Sequence, residues 1–513
     1  MKATKRLLAL FLVLIFVVSL ASCKDTKKSS SSSQTGGTTL PVSGENTTVS
    51  GETTQPGVTT TTVKGQTAAP TTTKFVHVTQ AVATTAKIDK QFQVFLDSLK
   101  GFVLDVKNPW NGAAPGTKIY ESTNTVERTV EQKFGVTINE TGLTTSYNSA
   151  VSSSLSASRP LADILKCQYY DFYNYFTKNY FARLNVPMSV SRVTMQEPWY
   201  NQGAKAFFNI DDKQVAWVGA KSDPYIIIYN KAMLKAAGLK DPAELVASKA
   251  WTFDKLQEYS KKLKTANRSG LESVSSVDLA ISLIDSNGGK LYKVDSTGKL
   301  SPNYNHPTSL DGFQKLYEWA KDGTVIFPTG DWDQGYKNFN AKKTAMLHGT
   351  GHWSNVVSST FGDEVGVVVF PKGPKAANYV NETFVNWIDF IPNKYQTDAA
   401  KILFLRNEMY RYSYSYWLGD YPEQGGKGLV KNSPSYTMYQ NLQFGTGGFS
   451  TGVEAVGLLF PSNADVYYKS MTDKMVGSGA LAPSTVLGQY GSQLDASTTK
   501  TWGRYKFTGL KGK

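Results

Sequence analysis

Tyr225-Ile226-Ile227-Ile228-Tyr229-Asn230-Lys231 runs on through Ala236-Ala237-Gly238-Leu239 and Asp241-Pro242 to Trp251-Thr252-Phe253-Asp254-Lys255-Leu256. Its first five residues are apolar without alternation, the pattern of a strand buried on both faces. Asn230 offers a side-chain oxygen to a helix beginning at Lys231, and Gly238 closes that helix. Thr252 then caps a second helix, whose Phe253, Leu256 and Leu263 share one face. A buried strand followed by covering helices is the grammar of an α/β layer.

Outward from this stretch the same alternation continues. Upstream, Phe102 to Val106 reads as a strand. Val126, Val130 and Phe134 mark a helix that Gly135 ends, and Val136-Thr137-Ile138 resumes extended structure. Leu161 to Leu165 is expected as another strand. Downstream, Phe313, Leu316, Tyr317 and Ala320 define a helix closed by Gly323. Glu364 to Phe370 is a valine-rich, doubly buried strand, and Ile402, Leu405 and Met409 mark a helix after Pro392. Tyr412, Tyr414 and Tyr416 alternate, so a half-buried strand or an irregular end is expected there. No internal repeat is present.

Several stretches in order resemble the family 1 extracellular solute-binding proteins, the maltose-binding-like receptors of ABC importers. The central signature above is the first. Val126-Glu127-Arg128-Thr129-Val130-Glu131-Gln132-Lys133-Phe134-Gly135-Val136 matches the family's first helix and second strand. Arg159-Pro160-Leu161-Ala162-Asp163-Ile164 stands, altered, where a Gly-x-x-Pro-Asp-Ile stretch is usual. Phe339-Asn340-Ala341-Lys342-Lys343-Thr344-Ala345-Met346, through Trp353, resembles the Phe-x-x-Gly-Lys-x-Ala-Met element, and Pro371-Lys372-Gly373-Pro374 its later loop. Two departures stand out: Ala341 replaces the usual Gly, and Gly351 stands where maltose binders carry a stacking Trp. The second leaves the ligand open.

The resemblance implies a two-lobed, periplasmic-binding-protein-like α/β fold with a hinge and an interlobe cleft. Residues 89–224 and 385–440 would form lobe 1, and residues 225–384 and 441–513 lobe 2. Hinge segments are expected near Ser222 to Tyr225, Phe384 to Trp387 and Asn441 to Gly445.

The chain's start points outside the cytoplasm. Lys2 and Arg6 precede an apolar run from Leu7 to Leu20, which ends in Leu20-Ala21-Ser22-Cys23. Its length is below the ~20 residues that span a bilayer, so it reads as a secretory signal over residues 1–22. The ending resembles a bacterial lipobox, which implies cleavage before Cys23 and a diacylglycerol on its sulfur. Residues 23–88, rich in Ser and Thr, are expected as a disordered tether with a reach of about 45 Å. The body would thus be lipid-anchored on the extracytoplasmic side. Cys23 and Cys167 are the only cysteines, which excludes a Cys-rich metal site and, with Cys23 lipidated, an intrachain disulfide. The net charge of +14 is scattered rather than run together, so no nucleic-acid footprint is indicated.

With 28 Tyr, 25 Phe and 10 Trp, the chain has rings beyond what a core needs. Sugars present apolar CH faces rimmed by hydroxyls, which suit aromatic platforms flanked by amide and charged groups. Trp110 and Asn111 follow the first strand, where loops at a strand's C-terminal end meet ligand. The resemblance puts ligand-contacting side chains at Gln168, Tyr169, Tyr170 and Asp171, and at Trp353 with His352 beside it. Trp387 and Asp389 lie near an expected lobe crossing, and Trp332 is a further loop candidate. His348 and His352 are separated by Gly349-Thr350-Gly351, which argues against a helical metal pair. No Gly-x-Ser-x-Gly elbow occurs, and Gly445-Thr446-Gly447-Gly448 lacks the lysine of a phosphate loop. The expectation is a monomeric receptor without cofactor or catalysis, which captures a carbohydrate, an oligosaccharide first, for an ABC permease. A non-sugar solute in the same fold, a surface glycosidase and an adhesin are the rivals.

Overall fold

The computed structural model describes residues 89–110, 118–220, 223–331, 333–351, 361, 364–385, 387–420, 433–445, 450–453 and 465–511. The expected signal, Cys23 and the expected tether fall outside them, as do Asn111, Trp332, His352 and Trp353. Among the described residues no helix is long and apolar enough to cross a membrane.

Helix α1 (Lys90–Asp97) is capped by Asp89, whose carboxylate accepts from the Phe92 amide at 2.9 Å. Strand β1 (Val103–Asn108) alternates, with Leu104, Val106 and Asn108 inward. Helix α2 (Lys118–Phe134) ends at Gly135, whose φ of 67° is the left-handed cap expected of glycine. Strand β2 (Thr137–Gly142) then runs parallel to β1, Ile138 opposite Leu104. The chain continues through α3 (Tyr147–Ser156), β3 (Leu165–Gln168), α4 (Phe172–Thr177) and α5 (Gln202–Phe207). The strand expected over Leu161 to Leu165 begins only at its end. Asp163 turns its carboxylate onto the Asp105 amide at 2.9 Å, so this segment docks against the middle of β1 before β3 begins, and Ile164 makes a single parallel bridge to Val106.

The quoted stretch forms β4 (Asp223–Asn230), buried from Pro224 to Asn230, and helix α6 (Lys231–Ala236). Asn230 caps α6 through the Met233 amide at 2.9 Å. Helix α7 (Phe253–Leu263), capped by Thr252, leads to β5 (Ser269–Ser273) and to helices α8 (Ser276–Ser286) and α9 (Pro307–Lys321). Strand β4 is central. Antiparallel β6 (Thr344–Thr350) lies on one side of it, with β5 parallel beyond, and antiparallel β7 (Val365–Val369) on the other. Gly366 interrupts the valines of β7 because a Cβ there would collide with the Tyr229 ring. At the Asp223 end of β4, β8 (Val380–Phe384) pairs antiparallel to it.

Strand β9 (Trp387–Phe390) returns to pair with β3. Helix α10 (Ala399–Asp420) follows, and Ile402, Leu405 and Met409 meet Leu104, Val126, Val130 and Ile138 in one apolar cluster. This helix overturns the strand or irregular end expected at Tyr412, Tyr414 and Tyr416. Residues two apart on a helix point about 200° from each other. Tyr412 accordingly packs on that cluster, while Tyr414 meets Trp199 and Phe444 edge-on at 6.4 and 5.9 Å. Tertiary packing outweighs the modest helix propensity of tyrosine.

Helix α11 (Pro434–Phe444) covers the segment expected as the third hinge, and Gly445 closes it with a φ of 65°. Instead, β10 (Ser450–Val453) runs beside β8 in parallel. Helices α12 (Asp465–Val476) and α13 (Pro483–Trp502) complete the chain. A second, larger apolar cluster takes in β4, β7, α8 and α9, and also Phe172 of α4 and Phe207 of α5. Trp502 stacks near Phe172 at 6.4 Å, and Phe507 lies 5.3 Å from Phe207.

Candidate functional site

Strands β3 and β9 decide which side chains meet. They pair antiparallel, with Trp387 opposite Gln168 and Asp389 opposite Lys166. Alternation by two puts these four side chains on one face, and Cys167 and Ile388 on the other, where both are buried. Two cross-strand pairs result. The outer pair, Gln168 and Trp387, is half-buried, and the inner pair, Lys166 and Asp389, is buried.

Rings gather on the outer pair. Trp387 meets Trp110 edge-on at 6.0 Å and Tyr147 at 5.8 Å. Trp110, two residues past β1, is 47 % exposed. The Tyr147 hydroxyl donates to the Lys107 carbonyl at 3.0 Å and accepts from the Lys166 amide at 2.9 Å, which ties α3 to the ends of β1 and β3. Beside the rings lies a polar cluster. The Asn148 amide donates to Gln168 Oε1 and, at 3.3 Å, to the Tyr170 hydroxyl, which itself donates to Gln168 Oε1. Tyr169 packs edge-on to Tyr170 at 5.1 Å. Half-buried Asp171 follows, and burial raises its carboxyl above the usual range.

Trp110, Gln168, Tyr169, Tyr170 and Trp387 are thus brought together, with Asp171 next along the chain. Asp389 lies beneath them at 2 % exposure, and its oxygens are engaged. Lys166 Nζ reaches Oδ1 at 2.6 Å, the Tyr410 hydroxyl donates to Oδ2 at 2.7 Å, and Arg406 lies 3.9 Å away. Burial pushes this carboxyl up. The Lys166 and Arg406 charges, with the Lys166 and Tyr410 hydrogen bonds, outweigh burial and hold it below the usual carboxylate range. The network continues: Arg406 donates to Glu140 at 3.1 Å, and Glu140 accepts from Asn108 at 2.7 Å. On α2, Glu127 is pushed up to about 7, by burial first and then by the charges of Glu140 and Glu131.

Tyr147, Asn148 and Lys166 escaped the sequence reading. Lys166 alone carried a signal, since it lies two residues before Gln168 and hence on the same strand face.

His348 sits at 0 % exposure in β6, with one ring nitrogen 2.9 Å from the Ser273 hydroxyl and the other 2.9 Å from that of Ser282. Both nitrogens are therefore occupied. The Gly351 amide donates to the Pro224 carbonyl at 2.7 Å, and a Cβ there would collide with the Tyr439 ring. The tryptophan that the resemblance places at this position has no room. The other departure moves by one residue. Ala341 has an ordinary φ of −81°, whereas Lys342 takes +59°, so Lys342 occupies the conformation that glycine favours. Far from the rings, at the Asn230 end of β4, a pocket of about 410 Å³ lies between Met233 and Ala236 of α6 and the side chains of Arg268, Lys342 and Glu364.

Rings, amides and a tyrosine hydroxyl on one surface can stack on apolar faces and exchange hydrogen bonds with hydroxyls.

Residues 126–402 match the family described as bacterial extracellular solute-binding protein. No curated protein sequence matches the chain. Among solved structures, the chain resembles the ABC substrate-binding protein Lmo0181 from Listeria monocytogenes in complex with cycloalternan, at 17 % identity and a TM-score of 0.54, covering 79 % of this chain and 100 % of that one. It also resembles the cyclic alpha-maltosyl-1,6-maltose binding protein from Arthrobacter globiformis, at 14 % and 0.58 over 78 % of this chain and 100 % of that one. UgpB from Mycobacterium tuberculosis, in complex with glycerophosphocholine, gives 14 % and 0.56 over 77 % and 98 %. At these identities the likeness is one of fold. Because the family match spans more than half of its length, the chain belongs to the bacterial extracellular solute-binding proteins, acts outside the cytoplasm and has their periplasmic-binding-protein-like α/β fold.

Proposed function

We propose that this chain is the receptor of an ABC importer, captures a carbohydrate, an oligosaccharide first, between two lobes and hands it to the permease. The observation that carries this reading is the cluster of Trp110, Trp387, Tyr169 and Tyr170 around the Gln168 amide. Stacking on rings is worth about 1 kcal/mol each, and closing the lobes around a sugar would desolvate the hydroxyl contacts as well. Asn111, Asp171, Trp332, His352 and Trp353 complete the proposed surface, and Asp389 serves it from below. Residues 89–224 with 385–440, and 225–384 with 441–513, are the proposed lobes. The body works as a monomer, held to the membrane by lipid on Cys23 through the tether.

Thermal melting of the purified protein against a glycan panel tests this. A true ligand raises the melting temperature in step with its concentration. Trp110→Ala and Trp353→Ala should each weaken the response about tenfold. Glycerophosphocholine belongs in the panel, since a neighbour of the same fold is solved with it. A rise with that compound and with no glycan would replace the carbohydrate reading.

A further inference from the structure

We propose that Lys166 is a positioning residue of the ligand site: its ammonium, gripped by Asp389, fixes the Trp110 ring as a platform. The ligand arm of this inference rests on the carbohydrate reading above; the ring arm does not. Lys166 Nζ lies 2.6 Å from Asp389 Oδ1 and 5.6 Å from the centroid of the Trp110 ring. A cation at that range from an indole is drawn to the ring's quadrupole, more strongly where water is kept away, and Lys166 is 8 % exposed. Trp110 needs such an anchor. It is 47 % exposed and its ring contact among the described residues is edge-on to Trp387, so ordering it costs side-chain entropy that something must offset.

Asp389 cannot swing to follow the lysine, because Tyr410 holds its second oxygen. The charges also close a loop. Asn108 binds Glu140, Glu140 binds Arg406, Arg406 lies by Asp389, Asp389 binds Lys166, and Lys166 faces Trp110, two residues beyond Asn108. The end of β1 is therefore held from two directions, by its own last side chain and by the ring that follows it.

Removing one charge alone would strand its buried partner. The working variant is therefore Lys166→Met/Asp389→Asn, which removes both and spares the fold. Lys166→Arg keeps the cation. The first readout is fluorine NMR of protein labelled with 5-fluorotryptophan, with the Trp110 resonance identified by its loss in Trp110→Phe. The double variant should shift and broaden that resonance, and Lys166→Arg should retain a single sharp line. The second readout is maltotetraose affinity by tryptophan fluorescence, expected to fall about tenfold in the double variant and to stay within twofold in Lys166→Arg. An unmoved Trp110 resonance in the double variant, or equal disturbance in Lys166→Arg, overturns the inference. Absence of maltotetraose binding by the unaltered protein counts against a maltodextrin ligand, and the affinity is then read with whichever glycan raises the melting temperature, while the resonance still decides the role of Lys166.

Discussion

Asp389 and His348 are both sealed from solvent, at 2 % and 0 % exposure, yet one keeps its charge and the other gives it up. Around Asp389 the chain supplies Lys166, Arg406 and Tyr410, so the ionised form wins in spite of burial. Around His348 it supplies two serine hydroxyls and the rings of Tyr225 and Phe370, with no counter-charge among the described residues, and burial lowers the imidazole to about 3. The difference follows position. His348 lies inside a sheet between the apolar β4 and the Ser273 end of β5, where hydroxyl partners suit a neutral ring. Asp389 lies under the proposed binding surface, where a fixed charge can hold neighbours in place. At this site the buried charge has neighbours to orient.

The strongest way to break this contrast is Asp389→Ala. It leaves the Lys166 ammonium buried without its carboxylate and Arg406 with Glu140 alone, and urea unfolding should show a loss of about 3–5 kcal/mol. The paired variant Lys166→Met/Asp389→Asn should recover most of that loss, and equal losses in the two would end the argument.

His348 gives the next largest effect, and it depends on pH. The unfolded chain takes up a proton near pH 6.5 that the folded chain refuses until about pH 3. Stability from this group is therefore complete above pH 6.5 and falls as the pH drops, by about 1.4 kcal/mol per unit. Relative to His348→Gln, the protein should lose about 2–3 kcal/mol between pH 6.5 and pH 4.5. A difference that stays constant with pH would mean that the ring takes up its proton in the fold.

Glu127 has the opposite sign. Its carboxyl titrates near 7 in the fold, so its contribution is complete at acid pH and is lost as the pH rises from 4.5 through 7. Glu127→Gln should melt higher than the unaltered protein at pH 8 and equally at pH 4. Solvent screening at this half-buried position reduces the gain to about 1 kcal/mol. The smallest effect is expected at the surface. Trp110→Ala should cost the ligand-free protein less than about 0.5 kcal/mol while it weakens glycan binding, because the ring is nearly half exposed.

The parts of the fold legible in the sequence were those decided locally. Tyr225 to Tyr229 and Val365 to Val369 announce themselves as runs without polar residues, and Asn230 and Thr252 cap the helices their neighbours suggest. The start of β3 and the helix through Tyr416 depend on distant partners: the Asp105 amide for Asp163, and Trp199 and Phe444 for Tyr414. The site divides the same way. Trp110, Gln168 and Trp387 stand out as rings and an amide near strand ends. Lys166 does not, because the register between β3 and β9 joins residues more than two hundred positions apart, and Tyr147 and Asn148 do not, because only the docking of α3 on β3 brings them to the site. Gly351 could be seen as a departure, but its cause, the Tyr439 ring, is supplied by α11.

The clasp of Phe507 on Phe207 and of Trp502 near Phe172 has a bearing on biogenesis. A nascent chain cannot seal its larger core until Trp502 and Phe507 have been delivered, and contacts of such long sequence separation form slowly. For a polypeptide that must be threaded through a membrane before it matures, that delay keeps the strand slack during passage and leaves the final knot to be tied on the far side.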